Sequence, residues 1–405
     1  MNDVFNLDDL DITNLELDDS EMDTTLEGLD LNSYDDVDEI SEPHIKVDTK
    51  DFKEFLKNAK SVIVNNAKDI VSKSICLNVE EGQVVGYCTD FDVFLEYRMD
   101  LLNTDNILTE PISFPVDVMI KMMKAVPNTV TIFKDEEGFK LKLAGGSIPL
   151  ETHNIDIAKY QFKDELKESE VSTMDSIKLH SILKNFTAIV TSAINPSERR
   201  IVFNEHGANA MYMFSMIKSD GSYPNMDIKI KDLSILKNLT SGKDVPLMFY
   251  DIADDTKSKR KVIKCDKFSY AFLVSELSLN KTLLDMEASL NKDDGLFIDF
   301  LQLYKLIELS YDLNYSLGKV GLNYTEDNKL KLLFKTKKGK DSEFDIDGTL
   351  SGNISPLKKD IEVPSKFLKT LLTSFNSESN IKISITDKAL IVASDEYTGI
   401  LFVEA

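Results

Sequence analysis

The sequence predicts an α+β fold made of three tandem copies of one small domain, each pairing two amphipathic helices with short alternating strands. The second helix of each copy carries the case. Residues 114–124 (FPVDVMIKMMK) are echoed by 230–239 (IKDLSILKNL) and by 363–372 (VPSKFLKTLL), apolar at helical spacing with lysines between. A period of roughly 120 residues exceeds any solenoid repeat, so the echo marks whole domains. A chain of 405 residues that is 42% hydrophobic can build a core in each copy. Stacked copies sharing a basic face point to an arc or ring around a polyanion.

Residues 1–43 stand apart from this pattern. They hold sixteen Asp and Glu with no Lys or Arg, leaving 54 acids against 47 bases in the rest of a chain whose net charge is −23. Self-repulsion and scarce aromatics predict a disordered acidic tail. Leu7, Leu10, Leu15, Leu17, Leu26, Leu29 and Leu31 give it an acidic-leucine pattern able to fold on a partner, with a solvated spacer as the plainer reading.

The first domain, residues 44–165, opens with an alternating strand at 45–47. Thr49 then caps a helix to about residue 64, with Phe52, Phe55, Leu56, Ala59 and Ile63 at helical spacing and Lys50, Lys53, Lys57 and Lys60 on another side. Segments 75–79, 84–89 and 93–99 read as an antiparallel meander with a turn at Glu81-Gly82. A helix over 114–126, bearing Lys121 and Lys124, precedes strands at 129–133, 139–143 and 147–150.

The acidic stretch 163–170 makes a linker into the second domain, residues 166–280. Asp175 opens a helix whose apolar side is Ile177, Ile182, Leu183, Phe186 and Ile189 and which carries Lys178 and Lys184. Strands at 200–204 and 209–217 lead through a Gly, Ser and Pro loop to the 230 helix with Lys231 and Lys237, then to strands at 245–252, 261–265 and 269–275. The third domain, residues 281–405, begins within a connector at 278–294 that has a helical turn over 283–290. A helix then starts at Gly295 on Phe297, Phe300, Leu301, Tyr304 and Ile307, where Asp299, Gln302 and Glu308 dilute Lys305. Strands follow at 318–324, 329–335, 342–350, 380–385, 389–393 and 399–403, with Lys366 and Lys369 on the 363 helix.

Several chemistries are disfavoured. Cys76, Cys88 and Cys265 have no CxxC or Cys/His spacing, and the first two fall in strands where buried free thiols are common, which fits a reducing cytoplasm. No apolar run of about 18 residues and no basic segment leading into an apolar core supports a membrane span or a secretory signal. His44, His153, His180 and His206 are scattered without a zinc-ligand partner, and no Ser or Cys sits in a nucleophile elbow. Asp251, Asp254 and Asp255, and likewise Asp345 and Asp347, read as turn or strand acids beside lysines rather than metal ligands. Gly138 and Gly145-Gly146 lack the helix and lysine of a phosphate loop and read as hairpin turns. The residues therefore predict no catalytic centre, no metal and no cofactor.

The order and local residues resemble the bacterial beta sliding clamp family, the processivity factors of replicative DNA polymerases. Residues 82–90 (GQVVGYCTD) before 93–96 (VFLE) resemble the family's strand, Thr-Asp and strand sequence. In the third copy 320–324 (VGLNY), 328–332 (NKLKL), the 363 helix, 381–387 (IKISITD) and 399–403 (GILFV) fall in family order, so the likeness covers about residues 44–405. Acidic composition, lysine dominance and the extra tail resemble a divergent member encoded by a bacteriophage.

The resemblance implies three tandem clamp domains with helices on the inner face and antiparallel sheets outside, closed into a ring by head-to-tail dimerisation. Lys50, Lys53, Lys57, Lys60, Lys121, Lys124, Lys178, Lys184, Lys231, Lys237, Lys366 and Lys369 would face double-stranded DNA, neutralising phosphate without reading bases. Four Arg against 43 Lys disfavour bidentate guanine readout. The implied partners are the DNA polymerase, a clamp loader and a second copy of the chain. Partner peptides of this family enter an apolar pocket between the second and third domains, whose wall here falls on Leu401, Phe402 and Val403. The family's Thr-Asp-Gly-His-Arg segment has no clear counterpart; Met211, Tyr212, Met213, Phe214 and Ser215 fall in its neighbourhood, with ordinary core as the plainer reading of a methionine-bearing strand. An acidic, non-encircling interaction scaffold or transcription cofactor on the same domains is the alternative function, and a carboxylate-metal nuclease is a third.

Overall fold

One order of elements occurs three times: a strand, a helix, four strands, a second helix and three strands. The computed structural model describes residues 40–63, 68–155, 157–158, 166, 171–193, 199–253, 259–274, 281–288, 290, 294–314, 318–325, 327–336, 339–352, 361–376 and 378–403. The first run is β1 (His44–Asp48), α1 (Thr49–Val62), β2 (Ser74–Glu80), β3 (Gln83–Thr89), β4 (Phe94–Asp100), β5 (Ile112–Pro115), α2 (Val116–Met122), β6 (Thr129–Asp135), β7 (Gly138–Leu143) and β8 (Gly146–Pro149). The second is β9 (Val171–Asp175), α3 (Ser176–Ser192), β10 (Arg200–Asn204), β11 (Gly207–Tyr212), β12 (Ser215–Ser219), β13 (Met226–Lys229), α4 (Ile230–Thr240), β14 (Pro246–Ala253), β15 (Lys259–Lys264) and β16 (Phe268–Val274). After α5 (Lys281–Ala288), the third is β17 (Gly295–Asp299), α6 (Phe300–Asn314), β18 (Lys319–Tyr324), β19 (Lys329–Lys335), β20 (Asp341–Ser351), β21 (Ile361–Pro364), α7 (Ser365–Thr373), β22 (Asn380–Ile385), β23 (Ala389–Ala393) and β24 (Thr398–Phe402). The chain parts into two compact units, Met1–Asp90 with Glu96–Lys159 and Phe91–Leu95 with Tyr160–Ala405, so the second and third runs share one body.

In unit 1, β1, β6, β7 and β8 form a four-stranded sheet in that order, and β2 pairs with β3 and β5. Glu81 and Gly82 both take positive φ, 51° and 81°, the conformation that a two-residue hairpin turn between β2 and β3 needs. The core sits between helix and sheet: Phe52, Phe55, Leu56, Ala59 and Val62 of α1 are buried, and Phe55 stacks on Tyr97 with ring centroids 6.0 Å apart.

In unit 2, twelve antiparallel strands run in the order β13-β10-β11-β12-β24-β23-β22-β17-β20-β19-β18-β21. The two runs of this unit join where β12 pairs with β24, Ser215 opposite Leu401 and Lys218 opposite Thr398. Their helices also meet, since α3 contacts α7 and the Ser181 hydroxyl lies 2.5 Å from the Tyr397 phenol oxygen. Burial pushes that phenol up to about 12.

Several boundaries differ from the sequence reading for local reasons. Asp48, not Thr49, caps α1, accepting from the Lys50 N–H at 2.8 Å, while the Thr49 hydroxyl donates to the Pro127 carbonyl at 2.6 Å. Asp175 caps α3 as expected, bonding the Ile177 N–H, and Asp299 bonds the Gln302 N–H at the start of α6. The 114 and 363 helices begin later, because Pro115 and Pro364 hold extended ψ of 131° and 126° and end strands β5 and β21. Segment 209–217 is a hairpin, β11 and β12, rather than one strand; Met213 turns it at φ 50°. Phe297 lies in a strand ahead of α6. The tail through residue 39, most of the 163–170 linker, and Asp254 and Asp255 lie outside the described residues. Among the described residues no helix is long and apolar enough to cross a membrane.

Candidate nucleic-acid interface and peptide edge

Helical periodicity sorts the side chains of α1 by solubility: its aromatic and aliphatic side goes to the sheet and its lysines go to water. Lys50, Lys53 and Lys60 are exposed, Lys57 is half-buried, and Lys121 and Lys124 beside them in unit 1 are exposed. Among the described residues Lys50, Lys53, Lys60, Lys121 and Lys124 have no ion-pair partner. The lysines of the β6–β7 hairpin are different. Lys134 pairs with Glu110, and Lys140 pairs with Asp135 at 2.7 Å and Glu137 at 2.6 Å. Hydrogen bonds to those carboxylates raise the Lys140 ammonium above its ordinary value, and the Lys140 bond lowers Asp135.

The helices of unit 2 are less uniform. Lys178, Lys184, Lys231 and Lys366 are exposed and Lys237 is half-buried. The Lys178 ammonium sits 5.1 Å above the Tyr223 ring. Lys369 is turned onto α6, 3.2 Å from Glu308 and 4.8 Å above Tyr311. On α6 the exposed side includes Leu301, Leu309 and Leu313 beside Lys305.

A groove of about 470 Å³ runs along the α3–α4 seam, lined by residues that include Ile177, His180, Ser181, Lys184, Thr240 and Lys243. His180 Nδ1 lies 3.1 Å from the Lys237 carbonyl and 3.2 Å from Thr240 Oγ1. Burial lowers its pKa, the bond to the Lys237 carbonyl opposes that, and the Lys237 and Lys184 charges add to the lowering.

At the peptide edge, Leu401 is fully buried, and Phe402 and Met211 nearly so. Phe402 and Met211 join Met216, Ala389, Ile391 and Ile400 in a cluster against which Leu284 and Leu290 pack. Val403 is half-buried. The accessible apolar surface belongs to the β11–β12 turn, where Met213 is 46% and Phe214 39% exposed. Phe214 belongs to the 211–215 segment that the sequence places in the neighbourhood of the second pocket wall. Its carbonyl accepts from the Phe402 N–H at 2.8 Å, which fixes the turn beside the end of β24. Hydrophobicity alone cannot separate a turn residue from a core residue here, and no Gly, Asn or Pro marks this turn in the sequence.

Two of the acids weighed as metal ligands are used otherwise: Asp251 pairs with the buried Lys261 at 2.6 Å, and Asp347 with Lys329 at 3.3 Å. Among the described residues no three of His, Cys, Asp and Glu are grouped to hold a metal ion. Cys76, Cys88 and Cys265 are free and buried, and burial pushes the Cys88 thiol well above its ordinary value.

No protein-family model matches the chain, and no curated protein matches it. Solved structures do. A sliding clamp, DNA polymerase III subunit beta, from Pseudomonas aeruginosa bound to griselimycin is 15% identical, with TM-score 0.71 over 90% of this chain and 100% of that one. The corresponding protein from Bartonella birtlesii is 16% identical, with TM-score 0.69 over 89% of this chain and 100% of that one. The DNA polymerase sliding clamp from Bacillus subtilis is 12% identical, with TM-score 0.69 over 90% of this chain and 100% of that one. The thrice-repeated order of strands and helices and this near end-to-end coverage agree, and the chain has the fold of the bacterial DNA polymerase III beta-subunit sliding clamps.

Proposed function

We propose that this chain is a non-enzymatic DNA sliding clamp that encircles duplex DNA and tethers a replicative polymerase for processive synthesis. The observation that carries the reading is the set of exposed helix-side lysines Lys50, Lys53, Lys60, Lys121 and Lys124, without an ion-pair partner among the described residues, on a fold shared with known clamps. A lysine is a hydrated point charge that attracts phosphate at any register, so a ring lined with such charges holds DNA topologically and still moves along it. In this reading the three runs of elements are three clamp domains, over 44–165, 166–280 and 281–405, and residues 1–43 are an appended acidic tail. Two chains meet head to tail to close the ring, a clamp loader opens it, and partner peptides dock at the Met213–Phe214 turn and Val403. The site of action is the bacterial or infected-cell cytoplasm.

Retention on DNA tests the proposal. Loaded on a nicked circle, the protein should stay bound through gel filtration at moderate salt and leave once the circle is cut at one site. Equal retention on circular and linear DNA supports the scaffold reading instead, and divalent-ion-dependent cleavage of the circle supports the nuclease.

A further inference from the structure

Residues 1–43 carry sixteen Asp and Glu and no Lys or Arg, and their point of entry into the fold is fixed. The Ser41 carbonyl accepts from the Asn106 side chain at 3.1 Å and the Pro43 carbonyl from the Lys134 N–H at 3.0 Å, after which five residues of β1 lead into α1. Unit 1 presents Lys50, Lys53 and Lys60 on α1 and Lys121 and Lys124 on and after α2, all exposed and, among the described residues, without an ion-pair partner. Helices α1 and α2 pack side by side, which brings the two lysine-bearing segments together. Opposite charges of this density, joined by one chain, are each other's nearest polyvalent partner.

We infer that the acidic N-terminal segment docks on the lysine face of α1 and α2 and competes there with duplex DNA. The inference rests on the reading of that face as a DNA interface. At random-coil dimensions 43 residues span about 35 Å root-mean-square, and like charge extends such a chain. The helix α1 is only about 20 Å long, so the segment reaches every lysine on it. Tethering sets an effective concentration on the order of millimolar, enough for a weak polyelectrolyte contact to be well populated at low salt. No stereochemical fit is required, because lysine point charges accept any closely spaced anions. DNA, with its denser charge, displaces the segment, and the contact therefore discriminates a long duplex from short or weakly charged anions.

The test compares the full-length chain with a full-length variant in which the sixteen acids of residues 1–43 are changed, Asp→Asn and Glu→Gln. Without DNA, zero-length carboxyl-to-amine cross-linking read by mass spectrometry should join residues 3–39 to Lys60, Lys121 and Lys124, and these products should vanish in the neutralised variant and in high salt. For a 30-base-pair duplex, the neutralised variant should bind about 5-fold or more tighter at low salt, with the gap closing as salt rises. Absent cross-links, or cross-links spread evenly over sheet and helix lysines, overturn docking whatever the DNA result. Equal affinities of the two chains overturn competition. Cross-links that persist when neither chain binds the duplex uphold docking and refute the DNA reading of the face.

Discussion

Gly86 leaves little room for change, and His180 ties stability to pH. A Cβ at Gly86 would lie 2.5 Å from the Phe55 ring, which is itself wedged among Phe52 and Tyr97 in the core of unit 1. Gly86→Ala should cost about 1–3 kcal/mol through overpacking, read as a lower urea midpoint at unchanged slope. An unchanged midpoint would mean that the ring yields freely. For His180 the expectation concerns pH. Its folded pKa lies below the ordinary 6.5, with burial as the main cause, so between the two values the unfolded chain binds more protons than the folded one. Stability conferred by the neutral ring is therefore full at pH 7 and above, and declines as pH falls through 6.5 toward the folded pKa. His180→Gln should shrink the difference in urea midpoint between pH 7.5 and pH 5.5 relative to the parent chain; an equal difference would assign the acid sensitivity to other groups.

Among the elements, the first helices share a device worth testing. Asp48 bonds two N–H groups at the start of α1, and Asp175 and Asp299 hold the same place before α3 and α6. Asp48→Ala should remove about 1 kcal/mol, whereas Asp48→Asn or Asp48→Ser should restore most of it, as measured by chemical denaturation. Element identity was largely legible in the sequence because each helix buries a stripe at period 3.6 and most strands alternate. The short strands β5, β9, β13, β17 and β21 were not, since four or five residues are too few to display a period and each runs straight into a helix. At β5 and β21 the proline was read as part of the following helix, yet its extended ψ serves the strand. Most of the lysine faces were legible too, being solvent-side by periodicity, but the half-burial of Lys57 and Lys237 and the turn of Lys369 onto α6 depend on neighbouring helices. The peptide edge was not: whether Phe402 or Phe214 reaches solvent depends on a turn at Met213 in a positive-φ conformation that its residue type does not advertise.

At the scale of the whole molecule, the repeat predicts how one copy of the chain meets another. Within unit 2 the fourth strand of the second run, β12, pairs with the last strand of the third, β24. The turn before β24 brings Tyr397 against Ser181 and Phe186 of α3, beside Asn185, which is 2% exposed. The corresponding strand of the third run is β20, whose edge along Asp341–Asp347 pairs only with β19 among the described strands, and β8 of the first run ends its own sheet. Counted from the caps Asp175 and Asp299, the position of Asn185 falls on Leu309 of α6, which stays 41% exposed with Leu313 at 40%. A third run whose leading strand edge stays unpaired among the described strands is what head-to-tail association uses, β20 of one chain taking β8 of the next and the β7–β8 turn covering Leu309. Leucine rather than asparagine at this joint fits a contact between separate chains, where burying apolar surface contributes about 25 cal/mol per Å² and an unpaired amide would oppose it. Sedimentation should therefore find the parent at twice its 45.7 kDa chain mass. Leu309→Asp with Leu313→Asp should shift it to a single chain with the same circular dichroism and urea midpoint, and with retention on nicked circles lost. A parent that sediments as one chain at tens of micromolar, or a double variant that remains paired, would rule out this face as the joint.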